Sequence, residues 1–299
     1  MADIVVVGSL NRDRLLRVDR IPRAGETVLA EAAGSHRGGK GANQAVAAAR
    51  LGASVAMVGK VGADSEGTSY LRALVAEGID VEGVTVDIDA PTGEAFILLG
   101  GDAENAIVVV PGANAALTAA DVSLAATALE GAAVVLLQLE IPMEAVKAAA
   151  QLAGGTVILN PAPAADIGTQ LLAHVDVVVP NRGELALLVA AEEAVDLDGV
   201  IAQAQELARP DLAVVVTMGA HGAVLVTDGA PVHVAAPDVV PVDTTGAGDA
   251  FCGGLADAVA RGEDLEEAVR RAVVVGALAT TRVGAQTGFP TRDDLTGLS

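Results

Sequence analysis

The sequence predicts an α/β protein with three α/β/α layers, in which helices cover both faces of a doubly wound, mostly parallel sheet and a small β-sheet forms a lid. Three observations support this fold. Short aliphatic runs alternate with alanine-rich stretches along most of the 299 residues. These runs lack polar residues at alternate positions, as is typical of strands buried on both faces. Two other stretches do show polar–apolar alternation, which indicates strands with one exposed face.

Six aliphatic runs are predicted to be strands of the main sheet, and the stretches between them are predicted to be helices. The predicted strands are residues 3–8, 54–59, 133–140, 156–160, 176–181 and 212–219. The predicted helices are residues 41–52, 69–78, 143–154 and 200–208, with a further helix from about 249 to 260. Several of them end at glycine, which tolerates the left-handed conformation after a helix. Doubly wound sheets bind ligands at the carboxyl ends of their strands, so polar residues there are candidate site residues.

Residues 11–36 and 91–112 show polar–apolar alternation and hairpin-like turns rather than a strand–helix unit. Together they are expected to form the small lid sheet over one end of the main domain. The α/β core then consists of residues 1–10, 37–90 and 113–299.

Composition excludes several function classes. The net charge of −21 repels nucleic acid and acidic membranes, so neither is an expected partner. No apolar run reaches the roughly 18 residues of a membrane span. The single cysteine, Cys252, excludes an intramolecular disulfide, and the first residues lack the basic region of a signal peptide. The expected location is a reducing cytoplasm, and any phosphate site must be organised locally.

The segment DTTGAGDAF places glycine-rich backbone immediately before a predicted helix. The amides of Gly246, Ala247 and Gly248 are expected to be unpaired at the helix N-terminus, where the helix dipole favours an anion. Asp249 lies beside them and is the candidate to accept a proton from a substrate hydroxyl that attacks phosphorus. Its structural alternative is stabilisation of the helix terminus. Asp243, six residues earlier, either binds a cation or caps the loop.

The segment GSHRGGKGANQ is close to a Walker A motif but lacks one element. Gly39 and Lys40 fit the pattern, whereas Gly41 replaces the hydroxyl that would bind magnesium. We therefore do not expect a P-loop. The paired glycines still bring backbone close to a polar ligand ahead of a helix, and Lys40 is either an electrostatic clamp or a solvated loop lysine.

Polar residues also follow other predicted strands. Asn11 and Asp13 come after the first strand and suit hydrogen bonding to vicinal hydroxyls, although both residue types are common in turns. Asn181 and Glu184 lie three residues apart at a predicted helix start. They either hold a hydrated magnesium or a phosphate oxygen, or only begin the helix. The TMGAHG turn, residues 217–222, either approaches a nucleotide or joins two strands.

In this order, the motifs resemble the phosphofructokinase-B, or ribokinase-like, family of carbohydrate kinases. The matching segments are GSLNRD, PRAGETV, GGKGANQAVAAARLGA, PGANAAL, QLEIP, NPAPA, PNRGE, TMGAHG, DTTGAGDAF and GAQ. They extend from residue 5 to about residue 290, and GGKGAN together with DTTGAGDAF is highly specific to the family. The resemblance implies ATP-dependent phosphorylation of D-ribose at its 5-hydroxyl, which gives D-ribose 5-phosphate.

The resemblance also implies roles for individual residues. Asp249 would be the catalytic base, and the amides of Gly246, Ala247 and Gly248 would form the anion hole. The residues implied to bind the sugar are Asn11, Asp13, Gly39, Lys40, Asn43, Glu140 and Asp249. The residues implied to lie near ATP and its Mg²⁺ are Asn181, Glu184, Thr217, Gly219, Gly222 and Gly248.

Potassium commonly activates members of this family, and the lid commonly closes over the sugar and forms a homodimer contact. Such closure would exclude water from the reaction. The residues implied to bind K⁺, mostly through backbone carbonyls, are Asp243, Thr245, Ala279, Arg282 and Gly284. Two positions depart from the family pattern. Arg12 stands where relatives often have a small or apolar residue, and Gly288 stands where relatives can supply a serine to the cation.

Other functions remain as alternatives. A sibling kinase acting on deoxyribose, a nucleoside or another furanose sugar would use the same residues. A non-catalytic sugar- or nucleotide-binding regulator is disfavoured because Asp249 and the glycine loop are intact. A dinucleotide-dependent oxidoreductase is disfavoured because no Gly-x-Gly-x-x-Gly follows the first strand. The four histidines are too scattered along the sequence to predict a metal site.

Overall fold

Two β-sheets, of nine and four strands, organise the chain. The computed structural model describes residues 2–101 and 105–296. The strands are β1 Ile4–Val7, β2 Asn11–Arg17, β3 Glu31–Gly38, β4 Val55–Gly62, β5 Asp80–Asp87, β6 Gly93–Leu99, β7 Asn105–Val110, β8 Val134–Leu137, β9 Thr156–Leu159, β10 Val177–Val178, β11 Ala213–Thr217, β12 Ala223–Val226 and β13 Val232–Val234. The helices are α1 Lys40–Arg50, α2 Ser65–Ala76, α3 Ala119–Leu124, α4 Ala126–Gly131, α5 Met143–Leu152, α6 Gly168–Leu172, α7 Arg182–Leu188, α8 Leu197–Leu207, α9 Ala247–Ala260, α10 Leu265–Ala279, α11 Ala285–Gly288 and α12 Arg292–Leu295. None of these helices is long and apolar enough to cross a membrane.

The nine-stranded sheet has the order β13-β12-β11-β10-β9-β8-β1-β4-β5. All neighbours from β11 to β5 pair in parallel, while β12 and β13 extend one edge in antiparallel fashion. The chain builds outward from β1 through β4 to β5 and then continues from β8 on the other side of β1. The predicted doubly wound, mostly parallel sheet is therefore confirmed, and the strand order reverses beside β1.

Helices cover both faces of this sheet because the side chains of each strand alternate between the faces. In β1, Ile4 and Val6 belong to one buried core, which they share with α1, α9 and α10. Val5 and Val7 belong to a second core, which they share with α5 and α8. The predicted three-layer α/β/α arrangement follows from this division.

Several strands are shorter than predicted, and much of the difference falls at their carboxyl ends. The strand predicted over residues 133–140 ends at Leu137, and the one predicted over 176–181 comprises only Val177–Val178. The polar residues that follow leave the sheet because their side chains have other partners. Gln138 bonds to an amide on α1, and Asn181 caps α7.

The four-stranded sheet has the order β3-β2-β6-β7. Strands β2 and β6 pair in parallel, and the two outer pairs are antiparallel. Its strands come from the two segments with polar–apolar alternation, except that β3 continues beyond residue 36 to Gly38. Residues 102–104 of the second predicted lid segment lie outside the described residues.

Glycines allow the start of α1 to approach the end of β1 closely. A Cβ atom on Gly41 would lie 2.6 Å from the carbonyl carbon of Gly8, so only glycine fits there. This contact brings the first turn of α1 to the place where the strand order reverses. Ligands of open α/β sheets bind at such a point.

Candidate active site

The glycine-rich segment before α9 ends in a left-handed turn. Gly246 has φ 76° and ψ 4°, and α9 begins at Ala247, two residues earlier than predicted. The Ala247 amide donates to the Thr244 carbonyl at 3.2 Å, so it is already used within the turn. Across residues 2–101 and 105–296, the amides of Gly246, Gly248 and Asp249 contact no acceptor. The free amides are therefore those of Gly246, Gly248 and Asp249, rather than the predicted set that included Ala247.

Asp249, in the first turn of α9, supplies a buried carboxylate and is only 6% exposed. Its Oδ2 accepts a hydrogen bond from Asn43 Nδ2 at 2.9 Å, and its Oδ1 accepts one from Gln44 Nε2 at 3.1 Å. Both donors lie on α1, so two helices orient the carboxylate. Each oxygen keeps a further lone pair for a ligand. One turn later, burial raises the pKa of the Cys252 thiol, which keeps it protonated.

Lys40, the first residue of α1, places a positive charge among carboxylates. The neighbouring Asp249 carboxylate raises the pKa of Lys40 against the opposing effect of burial, and Glu140 and Glu184 add to this effect. The ammonium group therefore stays charged. It supplies local positive charge in a chain whose net charge is −21.

Asn11 and Asp13 occupy alternate positions of β2 and therefore lie on the same face of the small sheet. Asn11 is buried, and its Oδ1 accepts a hydrogen bond from Asn114 Nδ2 at 2.8 Å. The Asp13 carboxyl group packs against Gly38, where a Cβ atom would overlap it. Gly39 follows with φ 88°, and a Cβ there would lie 2.7 Å from the Asn11 amide nitrogen. Bare backbone thus joins β3 to α1 beside both polar side chains.

The same pocket contains further acidic groups. Burial raises the pKa of Asp13 to about 7, with contributions from the charges of Glu140 and Asp249. The Glu140 carboxylate accepts hydrogen bonds from Ser9 Oγ at 2.5 Å and from the Lys40 amide at 3.0 Å. A buried carboxyl group with a raised pKa, beside other carboxyl groups and an ammonium group, is typical of functional sites. Their acceptors and donors suit a ligand rich in hydroxyl groups.

A cleft of about 460 Å³ lies beside the start of α9. It is bounded by α9, α10 and residues 236–244, and Thr217, Gly219 and Gly222 line it from the turn after β11. Gly248 lines the cleft as well. The cleft and the carboxylate pocket therefore meet at the N-terminus of α9, where free amides are available to both.

Comparison with known proteins decides the family. The model of the pfkB family carbohydrate kinases matches residues 1–292. The chain belongs to the pfkB family of carbohydrate kinases. This kinase is 38% identical over 298 residues to a ribokinase of Bacillus subtilis, covering 99% of this chain and 98% of the relative. It is 38% identical over 294 residues to a deoxyribokinase of Salmonella typhimurium, covering 96% and 95%. The solved structure of Arabidopsis thaliana ribokinase complexed with ribose and ATP matches with a TM-score of 0.86 and 32% identity, covering 99% of this chain and 98% of that one.

In this pfkB kinase, Asn181 and Glu184 form a reciprocal cap at the start of α7. The Asn181 amide donates to Glu184 Oε2 and the Glu184 amide donates to Asn181 Oδ1, both at 2.8 Å. Burial is the largest cause of the raised pKa of Glu184, and the charge of Asp249 adds to it. The hydrogen bond from the Asn181 amide and the charge of Lys40 oppose this rise. Glu184 therefore caps the helix and also acts electrostatically on the pocket.

Asp243 joins the turn before α9 to the segment before α11 of the kinase. Its Oδ1 accepts a hydrogen bond from the Thr245 amide at 2.9 Å, and its Oδ2 accepts one from the Gly284 amide at 2.8 Å. Burial alone would raise the pKa of Asp243, but these hydrogen bonds outweigh it and lower the pKa. Both side-chain oxygens thus have protein donors, which leaves the role of cation ligand mainly to carbonyls.

Two carbonyl oxygens converge beside Gly288. Those of Ala279 and Arg282 each lie 3.2 Å from the position that a Cβ atom of residue 288 would take. The Arg282 side chain turns away and pairs with Asp294 at 2.7 Å. Within the described residues, no cluster of three or more His, Cys, Asp and Glu side chains is suited to a metal ion. A cation held here would be bound through backbone oxygens.

Several side chains of the kinase site were not identified as site residues from the sequence. These are Ser9, Gln44, Tyr70, Asn114, Gln138, Asn160 and Gln286. Gln286 Nε2, for example, donates to Asn43 Oδ1 at 3.0 Å and to Tyr70 Oη at 2.9 Å. Most of them lie in segments that carry the family resemblance. The sequence feature that could have identified them is an amide or hydroxyl side chain within an otherwise apolar segment, as in the ANQAVAAA run of α1.

Proposed function

We propose that this kinase catalyses the ATP-dependent phosphorylation of D-ribose at its 5-hydroxyl to give D-ribose 5-phosphate. One observation carries the proposal: the buried Asp249 carboxylate lies beside the free amides of Gly246, Gly248 and Asp249 itself. Phosphorylation of an alcohol needs a proton acceptor and a site for phosphoryl charge at the same place. The relatives named ribokinase support ribose as the alcohol.

Asp249 acts as the general base in this mechanism. The sugar hydroxyl passes its proton to the carboxylate while the hydroxyl oxygen forms a bond to the γ-phosphorus of ATP and the bond to the ADP oxygen breaks. The amides of Gly246 and Gly248 donate to the phosphoryl oxygens at the helix N-terminus. Lys40 offsets the charge that develops there, since its ammonium group stays protonated.

The sugar pocket matches the hydrogen-bonding capacity of a pentose. The proposed sugar ligands are Asn11, Asp13, Gly39, Lys40, Asn43, Glu140 and Asp249. Carboxylates accept from sugar hydroxyls, whereas Asn11 and Lys40 donate to them. Deoxyribose remains the second candidate, because the deoxyribokinase relative is as similar in sequence as the Bacillus ribokinase. A pocket built to bond a 2-hydroxyl would reject a sugar that lacks it, since buried polar groups would be left unpaired.

ATP occupies the cleft beside α9 in this proposal. The proposed nucleotide ligands are Asn181, Glu184, Thr217, Gly219, Gly222 and Gly248. Mg²⁺ neutralises phosphate charge in phosphoryl transfer and typically keeps several water ligands. Glu184 fits such a hydrated ion, because one carboxylate oxygen bonds to the Asn181 amide and the other remains for a water ligand.

A K⁺ ion would support the turn that presents the free amides. The proposed ligands are Asp243, Thr245, Ala279, Arg282 and Gly284. The convergence of the Ala279 and Arg282 carbonyls beside Gly288 supports this position. Asp243 bonds to both the α9 turn and Gly284, so an ion there would hold the two segments together.

The four-stranded sheet acts as a lid over the sugar. Residues 11–36 and 91–112 form this lid, and residues 1–10, 37–90 and 113–299 form the core. Asn11 and Asp13 belong to lid strand β2, so lid closure and sugar binding would be one event. Use of ATP fits a cytoplasmic location.

The lid sheet also supports a homodimer. Leu15, Ile97 and Ile107 stand in register across β2, β6 and β7 and form an aliphatic row. Ile107 is 59% exposed. A second copy of the same sheet would cover this row.

Replacement of the base tests the mechanism. Asp249→Asn should lower kcat by about 10²–10⁴-fold, because the amide cannot take the proton, while sugar binding is largely kept. The matched control is Asp257→Asn, since Asp257 is a buried aspartate on the same helix that pairs with Arg261. Near-normal turnover of Asp249→Asn would remove this residue from the mechanism.

A substrate panel tests the choice of sugar. Coupled assays of ADP formation with D-ribose, 2-deoxy-D-ribose and nucleosides, in K⁺ and in Na⁺, should give the highest kcat/KM with ribose in K⁺. A preference for deoxyribose would favour the second candidate. Equal rates in both salts would reject the proposed K⁺ site without affecting the assignment of the base.

A further inference from the structure

A buried chain of amide side chains connects the central sheet to the carboxylate of Asp249. Gln138 Nε2 donates to Gln44 Oε1 at 2.6 Å, and Gln44 Nε2 donates to Asp249 Oδ1 at 3.1 Å and to Asn160 Oδ1 at 3.2 Å. Asn160 Nδ2 in turn donates to the Val179 carbonyl at 2.9 Å. Gln44 and Gln138 are completely buried, so neither can contact a sugar or nucleotide in the pocket.

Two acceptors, the Asp249 carboxylate and Asn160 Oδ1, together fix the direction of the hydrogen bonds in this chain. A carboxylate accepts hydrogen bonds, so Gln44 must turn its NH₂ group towards Asp249 and its oxygen towards Gln138. Gln138 must then present its own NH₂ group. If either amide were reversed, two acceptor oxygens would face each other in a buried place. The orientations of Gln44 and Gln138 are therefore coupled to each other, and together they present an N–H donor to Asp249.

These hydrogen-bond directions leave one polar atom of the amide chain without a partner. Among the described residues, Gln138 Oε1 is buried and accepts no hydrogen bond. It lies against Gly8, where a Cβ atom would overlap it. A buried acceptor without a donor is unfavourable for stability. Apolar side chains at both residue 44 and residue 138 would avoid this defect, so the chain is better explained by its effect on Asp249 than by its effect on stability.

We propose that Gln44 and Gln138 are positioning residues for the catalytic base. Gln44 fixes the rotamer of the Asp249 carboxylate, and Gln138 fixes the amide of Gln44. This inference rests on the proposed role of Asp249 as the base. The residue that follows strand β8 and a residue of helix α1 would then hold the proton acceptor in line with the sugar hydroxyl.

Removal of the donor tests the role of Gln44. Gln44→Leu should lower kcat by about 10- to 100-fold, as expected when a hydrogen bond to a charged group is lost, with the KM for ribose nearly unchanged. The titratable groups that face Asp249 are Asp13, Lys40, Glu184 and Cys252, and they are the same in every variant. Gln203→Leu, on α8, is the control.

A double variant tests the role of Gln138. If Gln138 acts only through Gln44, then Gln138→Leu should lower kcat in the parent but have no further effect when combined with Gln44→Leu. Independent, additive losses would overturn the coupling. A Gln44→Leu enzyme with the kcat of the parent would overturn the proposal. If the Gln44→Leu enzyme retains the activity of the parent while Asp249→Asn is inactive, only this inference fails. If Asp249→Asn is active, the proposed function fails.

An isosteric variant covers the case in which Gln44→Leu does not fold, as judged by thermal melting. In Gln44→Glu, the introduced carboxyl group can donate to Asp249 only while the pair holds a proton. Activity should therefore fall as pH rises through the point at which this proton is lost. A profile identical to that of the parent would contradict the proposal.

Discussion

Asp13 shows how the pocket holds acidic groups close together before a ligand arrives. Burial is the largest cause of its raised pKa, about 7, and the charges of Glu140 and Asp249 add to it. Ionisation of Asp13 is thus unfavourable, mainly because the carboxylate loses hydration. The hydroxyl groups of a bound sugar would donate to the carboxylate and replace part of that hydration.

We expect Asp13→Asn to stabilise the folded protein more at pH 8 than at pH 5, although it should weaken sugar binding. The pKa of Asp13 is about 7 in the folded state against 3.8 for an ordinary aspartate. Its contribution to the free energy of unfolding is therefore fully present below about pH 4 and is lost as pH rises through about 7. The Tm of Asp13→Asn should exceed that of the parent at pH 8 by about 2 °C or more.

Thermal melts at both pH values measure this difference. Asp228→Asn, at an exposed loop position, is the control and should have the same small effect at both pH values. Equal effects of Asp13→Asn at pH 5 and pH 8 would show that the carboxyl group is already ionised in the folded protein at pH 5.

Helix α2 attaches the small sheet to the core through three side chains near its start. The contacts are those of Asp64 with Thr92 before β6, Glu66 with Arg12 on β2, and Tyr70 with the Gly38 carbonyl in β3. Arg12 lies between Asn11 and Asp13 and points to the opposite face of the strand. Its ion pair with Glu66 therefore fixes the strand without occupying the pocket. This gives a physical role to Arg12, a position at which the chain departs from the family pattern.

We expect Glu66→Gln to raise the KM for ribose about two- to tenfold and to leave Tm nearly unchanged, since a partly exposed ion pair contributes only about 0–1 kcal/mol. Steady-state kinetics and sugar-independent ATP hydrolysis provide the measurement, and the hydrolysis should increase as the lid loosens. Glu77→Gln is a matched control, because Glu77 pairs with Arg50 at the other end of α2, away from the lid. A KM equal to that of the parent would show that the pair does not hold the lid.

The positions of the strands were predictable where a continuous aliphatic run marks a strand buried on both faces. The ends of the strands were less predictable where a polar residue leaves the sheet to contact the site or to cap a helix. Aliphatic runs located the strands of the large sheet because both faces of those strands are covered. The early ends of β8 and β10 were not predicted, since their last polar residues turn to partners in the site or cap a helix. Asp249 and the left-handed Gly246 could be identified from local sequence. Gln44 contacts Asp249 across 205 residues, a separation that leaves no local signal.

The whole molecule combines a strongly acidic composition with one exposed apolar edge. The chain has a net charge of −21, yet Ile107 to Val110 on β7 are 43–59% exposed. Ile107 and Val109 lie on one face of this edge strand, and Val108 and Val110 lie on the other. Two such acidic chains repel each other over most of their surfaces, so an edge of uncharged side chains is a favourable place for them to meet.

We expect Ile107→Asp to convert the proposed homodimer to a monomer, because a charge would be buried in the centre of the aliphatic row. Light scattering after size exclusion gives the mass directly. Val195→Asp introduces the same charge at a position on the core that is 91% exposed, and should leave the mass unchanged. A dimer that survives Ile107→Asp would place the contact elsewhere on the molecule.

The buried thiol of Cys252 has a practical consequence for following this enzyme in solution. The chain contains no other sulfhydryl, and this one is both inaccessible and protonated. A single cysteine introduced at Leu29, a side chain that is 95% exposed between β2 and β3, would thus be the one position open to a maleimide dye. The fluorescence of such a label would report movement of the small sheet in real time. Cys252 would not have to be replaced for this experiment.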